Sequence, residues 1–143
     1  MNKGGLLTIP LIAVILLVGC AQPNAGELGE QGLEFERAGQ VDQAIEKYTE
    51  AIEQRPDSLG FRLMRVNAYM SKKDYDSAIE DYTEIIRLFP EQYGAKAYFD
   101  RGQAYEAKGD LEHAIADFEK AISVSSDEYF IEKVQQEIER LRQ

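Results

Sequence analysis

The sequence predicts an all-α solenoid, three helical hairpins in series closed by a capping helix, and three observations predict it. AIEKYTEAI from Ala44, AIEDYTEII from Ala78 and AIADFEKAI from Ala114 repeat one pattern, first 34 and then 36 residues apart. That period fits one helical hairpin and is too short for an independent domain. Within the pattern Ala44, Ile45, Tyr48, Ala51 and Ile52 fall on one apolar stripe of an α-helix. A second stripe precedes each copy, Gly32 with Phe35, Val66 with Tyr69 and Gly102 with Tyr105, at the same offsets.

The first helix opens near Ala25 and carries Gly26, Gly29 and Gly32 three apart. Each interior glycine costs about 1 kcal/mol relative to alanine. The helix is therefore expected to be weak, and its glycine face to admit another backbone, including that of a second copy of the chain. Gly39 marks the turn into the second helix, where the small Ala44 lets two helices approach, Tyr48 fills the space beside it and Pro56 closes the element. The third and fourth helices repeat this with Val66, Tyr69, Ala78 and Tyr82, Lys73 taking the turn position and Pro90 the closing one. Tyr93 and Gly94 are then two extra residues, which a surface loop accepts at little cost. Gly102, Tyr105, Gly109, Ala114 and Phe118 build the fifth and sixth helices, with Ser126 where the proline should stand. Ser125-Ser126-Asp127-Glu128 has capping-box spacing, and Ile131, Val134, Ile138 and Leu141 follow at helical intervals. Arg140 and Arg142 suit the negative end of that helix's dipole. With Glu132, Gln135, Gln136 and Glu139 facing outward, the last helix reads as the cap a solenoid end needs for solubility.

In their order of small and aromatic residues, Gly32, Phe35, Ala44, Tyr48, Ala51 and Pro56 resemble the tetratricopeptide-repeat family. The resemblance runs from about Ala25 to Glu128 and implies a right-handed α-solenoid, with repeats at 25–58, 59–92 and 95–128 and a capping helix at 129–143. Val66 and Ile85 depart from the pattern in the second unit, as Ser126 does in the third. In that family the first helices line a concave groove that binds protein or peptide partners. The family's register points Leu33, Leu63, Asn67, Met70, Phe99, Gln103 and Glu106 into it. Leu63, Met70 and Phe99 are then expected to form an apolar patch beside Asn67 and Gln103, rimmed by Glu36 and Glu106, suited to a peptide with apolar anchors and some basic residues. A subset of the family grips the C-terminal carboxylate of heat-shock chaperones with a clamp of Lys, Asn, Asn, Lys and Arg. Gly29, Leu33, Met64, Lys96 and Asp100 occupy those places here. With one match, the clamp is absent, and Asp100 repels a carboxylate.

At the N-terminus Lys3 is followed by an apolar run from Leu6 to Val18, the length of a signal peptide and shorter than the ~20 residues a membrane-spanning helix needs. The run ends in Leu17-Val18-Gly19-Cys20, which resembles the lipobox of bacterial lipoproteins. Residues 1–19 are accordingly expected to be removed and Cys20 to carry the lipid, with residues 20–24 as a tether. Cys20 is also the one cysteine in the chain, so no internal disulfide accounts for it. Four extended residues, Ala21 to Asn24, reach ~13 Å, so the repeats are expected to lie close to the bilayer. In Gram-negative lipoproteins an Asp after the Cys resembles a signal for inner-membrane retention. Ala21 stands there and points to the periplasmic face of an outer membrane.

The formal net charge is −10, and the 1–19 segment holds one lysine and no acid, which leaves −11 on the chain from Cys20. Such acidity argues against nucleic acid, whose phosphates demand a basic face, and against electrostatic adhesion to anionic lipid. No glycine-rich phosphate loop or nucleophile motif appears. His113 is the one histidine, and Glu112 and Asp117 read as exposed helix charges. Neither an enzymatic activity, a metal nor a cofactor is expected. These features converge on a lipid-anchored, palmitate-bearing scaffold of the bacterial envelope that binds a protein segment in the groove. Pilotins, outer-membrane assembly lipoproteins and adaptors for cell-wall hydrolases are built this way. The alternative is an assembly factor that works as a homo-oligomer through its glycine face.

Overall fold

The computed structural model describes residues 22–143. Residues 1–19, the lipobox and Cys20 lie outside the described residues. Seven helices follow one another among those described: α1 (Ala25–Arg37), α2 (Val41–Gln54), α3 (Leu59–Ser71), α4 (Tyr75–Leu88), α5 (Pro90–Lys108), α6 (Leu111–Val124) and α7 (Glu128–Leu141). Each packs mainly against the helix before it and the helix after it, which is the quasi-one-dimensional architecture of a helical repeat.

The repeated small and large residues make the core. Ala44, Ala78 and Ala114 are fully buried, as are Tyr48 and Phe118. A Cβ added at Gly32 would stand 2.3 Å from the Tyr48 ring, and one at Gly102 would stand 2.6 Å from the Phe118 ring. The glycines of the first and fifth helices thus make room for the aromatics of the second and sixth. In the middle hairpin Val66 takes that place and is fully buried among Ala78, Tyr82 and Ile85.

Here the expected glycine face needs correction. A Cβ at Gly29 would lie 2.6 Å from the Phe61 ring of α3, so Phe61 and Tyr48 fill the space beside Gly29 and Gly32 from within the chain. Nor is α1 left to fray. Asn24 accepts from the amides of Gly26 (2.9 Å) and Glu27 (3.1 Å), and the Glu27 carboxylate accepts from the Asn24 amide at 3.0 Å, a reciprocal cap.

Other boundaries also differ from expectation. Pro90 does not close the fourth helix. It is the first residue of α5, where a missing N–H and a preset φ suit a helix start. Tyr93 and Gly94 therefore lie inside a helix of 19 residues rather than in a loop. The cap of α7 is Asp127, whose carboxylate accepts from the Phe130 amide at 3.2 Å, while Ser125 accepts from the Asp127 amide. The three turns inside the hairpins share one left-handed residue, at Gly39 (φ 73°), Lys73 (φ 62°) and Gly109 (φ 90°).

Ion pairs stitch neighbouring hairpins together. Arg65 donates to both oxygens of Asp81 (2.7 and 2.6 Å) and to the Thr49 hydroxyl at 2.9 Å. Arg101 repeats the motif on Asp117 (2.7 Å twice) and Thr83 (2.9 Å). Each arginine ties the second helix of its own hairpin to the second helix of the preceding one. Asp81 and Asp117 are buried, so Asp117 is no exposed helix charge. At the other edge Lys72 pairs with Asp42, and Lys108 with Asp76 at 2.6 Å.

Candidate functional site

α1, α3 and α5 hold equivalent places in the three hairpins, and all seven expected groove residues lie on them. Their surroundings divide them. Leu63 and Met70 of α3 are half-buried and packed against the cluster of Val66, Ala78, Ile79, Tyr82 and Ile85. Phe99 of α5 packs between Phe118, tilted against it, and Phe130, edge-on to it, with ring centroids 5.3 and 5.6 Å away. Glu106 accepts from Arg140 of α7 at 2.7 Å. The open apolar patch expected from Leu63, Met70 and Phe99 is therefore corrected. Their side chains join core clusters, because α4, α6 and α7 lie close enough to use them.

What stays open is a line of equivalent positions: Leu33, Asn67 and Gln103, spaced 34 and 36 apart like the repeat itself. Leu33 is half-buried in a shallow depression with Glu30, Glu34 and Arg37 of the same helix. Asn67 and Gln103 are exposed, and among the described residues their side-chain amides have no hydrogen-bond partner. Each offers a donor pair and an acceptor at the surface, the chemistry that reads a peptide backbone.

Several charges near this line are already engaged. Asp100 is buried, paired with Lys96 and accepting from the Tyr93 hydroxyl at 3.3 Å. Burial, and then the Asp100 charge, push the Tyr93 phenol up to about 12. Glu36 accepts from the Tyr48 hydroxyl at 2.6 Å, and burial followed by that bond raises the Tyr48 phenol well above its ordinary range. Lys96, the one match to the carboxylate clamp, is thus held by Asp100, and Gly29 is turned against Phe61. The sequence reading missed the arginine ladder. Its signal was Arg65 and Arg101, Asp81 and Asp117, and Thr49 and Thr83 recurring in register with the repeat.

His113 is exposed, its Nδ1 at 2.8 Å from Asp110 and its ring stacked on Tyr105 with centroids 5.0 Å apart. Among the described residues no group of three His, Cys, Asp or Glu side chains is placed to hold a metal ion. No helix among them is long and apolar enough to cross a membrane.

The family profile described as tetratricopeptide repeat matches residues 30–93 and 63–128. No curated protein gives a match. Among solved structures, the first TPR of Spaghetti (RPAP3) bound to HSP90 peptide SRMEEVD is 26% identical with a TM-score of 0.65, over 83% of this chain and 90% of that one. The second TPR domain of human RPAP3 in complex with HSP70 peptide SGPTIEEVD is also 26% identical, with a TM-score of 0.65 over 83% and 95%. The N-terminal domain of stress-induced protein-1 from C. elegans has a TM-score of 0.70 over 83% and 94%, and at 21% identity that likeness is one of fold.

Proposed function

The chain belongs to the tetratricopeptide-repeat family, and on that footing we propose that it is a non-catalytic protein-binding scaffold, held at a membrane of the bacterial envelope by a lipid on Cys20. The observation that carries the binding role is the pair of unpartnered amides, Asn67 and Gln103, at matching places on α3 and α5. Side-chain amides in register can pair with the N–H and C=O groups of an extended segment laid across them. Two structural neighbours hold peptides ending in EEVD. This chain's partner is of another kind, because Lys96 is neutralised by Asp100 and the net charge is −10. A neutral or basic segment fits; an acidic terminus does not.

A photo-crosslinking residue in place of Gln103 should trap the partner in cells, and Asn67→Ala with Gln103→Ala should weaken the captured partner's binding about tenfold or more, with helical circular dichroism unchanged. Unchanged affinity would remove the groove from consideration. Anchoring is tested separately. Labelled fatty acid should enter the wild-type protein and not Cys20→Ser, and density-gradient fractionation should place the protein with the outer membrane, as Ala21 suggests. Self-association through a glycine face has lost its basis, since Phe61 and Tyr48 occupy the space beside Gly29 and Gly32.

A further inference from the structure

The period of 36 residues that opens the third hairpin has a structural consequence. The first helices α1 and α3 are 13 residues long, whereas α5 has 19. Most of its added length, Pro90 to Gly94 before the residue that matches Leu59 of α3, lies beside the connection between α6 and α7 and borders a cleft of about 510 Å³. That volume falls within the roughly 300–1,000 Å³ of ligand-holding pockets. Ile86, Tyr98, Val124 and Phe130 give it apolar walls, and Val124 is 48% exposed.

The charge on the rim says what such a cleft accepts. Glu91 and Asp127 line it, and Lys96, the one cation there, already pairs with Asp100. The start of α5 contributes the positive end of a helix dipole, but Glu91 stands in its first turn and answers it. An excess of negative charge beside apolar walls selects against acidic segments. It also selects against a second copy of a chain with net charge −10.

We propose that this cleft is a second docking site, which takes a bulky apolar side chain from a partner segment that is basic on either side of it. The site is distinct from Asn67 and Gln103 and stands or falls without them. The probe is a fluorescent peptide, acetyl-Gly-Lys-Lys-Phe-Leu-Lys-Gly-amide, titrated against the full chain in phosphatidylcholine nanodiscs with empty nanodiscs as the blank. A control peptide carries Glu in place of each Lys. Anisotropy should show the basic peptide binding at least tenfold more tightly than the acidic one. Ala95→Phe, which fills the cleft, and Glu91→Lys should each weaken it tenfold or more, and Asn67→Ala with Gln103→Ala should leave it unchanged. Should Ala95→Phe lose helical signal, Val124→Lys at the exposed wall replaces it with the same expectation. Equal binding to the wild type and the filled variant, or no binding of the basic peptide, overturns the cleft. Loss in the Asn67/Gln103 variant alone also overturns it and assigns the peptide to the groove.

Discussion

The first hairpin and the two that follow share one sequence pattern but are tied down differently. In the second and third, Arg65 and Arg101 each reach a buried aspartate on their own hairpin and a threonine on the one before. The same positions in the first hairpin hold Gln31 and Lys47, and Lys47 pairs with Glu50 on its own helix. An arginine is useful only where an upstream helix can receive its second arm. Among the described residues no hairpin precedes α1, and the chain omits both members of the pair. Polar contacts in this solenoid therefore follow the neighbour relation rather than the repeat itself.

Breaking one rung is the strongest test of that difference. Arg101→Ala leaves the Asp117 carboxylate buried and unpaired, and such a loss costs about 3 kcal/mol. Gln31→Ala at the equivalent place of the first hairpin should stay within about 0.5 kcal/mol of the wild type. Urea unfolding followed by circular dichroism measures both. Equal midpoints would mean that the ladder contributes nothing and that the hairpins are held by packing alone.

The two ends differ as well. At the C-terminal end Phe99 is roofed by Phe130 of α7, and Val134 and Ile138 are buried against the same cluster, while Leu33 of α1 faces a shallow surface depression. Phe99→Ala should therefore cost about 2–3 kcal/mol, with α7 loosening first in hydrogen exchange. Leu33→Ala should cost less than about 1 kcal/mol. If Phe99→Ala is as mild as Leu33→Ala, Phe99 is a free groove residue after all.

Much of the fold was readable because the repeat is periodic and apolar. Ala44, Tyr48, Ala78, Ala114 and Phe118 announce their burial by spacing, and Gly39, Lys73 and Gly109 mark their turns. The site was read less well for a physical reason. Residues on the first helices alternate between facing a partner and facing the next helix, and a few tens of degrees about the helix axis separates Asn67 from Leu63 or Met70. Sequence spacing does not resolve that rotation; packing does. Asp117 looked like a surface charge because its partner, Arg101, sits 16 positions away on another helix. Pro90 misled because a proline suits the residue after one helix and the first residue of the next equally well, and here only Phe89 separates the two.

The turns sharpen the comparison at smaller scale. α4 and α6 are capped by Asp74 and Asp110, which accept from the amides of Ser77 and His113, whereas Gln40 before α2 makes no side-chain cap. Gln40→Asp should stabilise the protein by about 1 kcal/mol by supplying the missing acceptor. Lys73 is the one turn residue that is not glycine, and a side chain in the left-handed region costs about 1 kcal/mol. Lys73→Gly should therefore raise the thermal midpoint, and Gly39→Lys should lower it. An unchanged midpoint for both would show that these turns yield without strain.

The smallest expected effect separates the third turn from the second. His113 donates from its ring and its backbone to Asp110, and these bonds, with the nearby charges of His113 and Lys108, hold the Asp110 carboxyl below its ordinary value. Asp74 is served by Ser77 in the equivalent place. A carboxyl whose folded value is depressed contributes stability that is present above the unfolded value, about 3.9, and is lost as pH falls through the folded one. The contribution should therefore be constant at neutral pH and vanish in acid. Carbon-detected titration should place the Asp110 midpoint below the ordinary aspartate range in the wild type and return it toward that range in His113→Ala, with the wild type's small stability advantage present at neutral pH and lost as pH falls below about 4. Because Asp110 is only partly buried, solvent screens most of the interaction, and a difference that persisted in acid, below the folded Asp110 value, would have to come from the His113 ring stacked on Tyr105 instead.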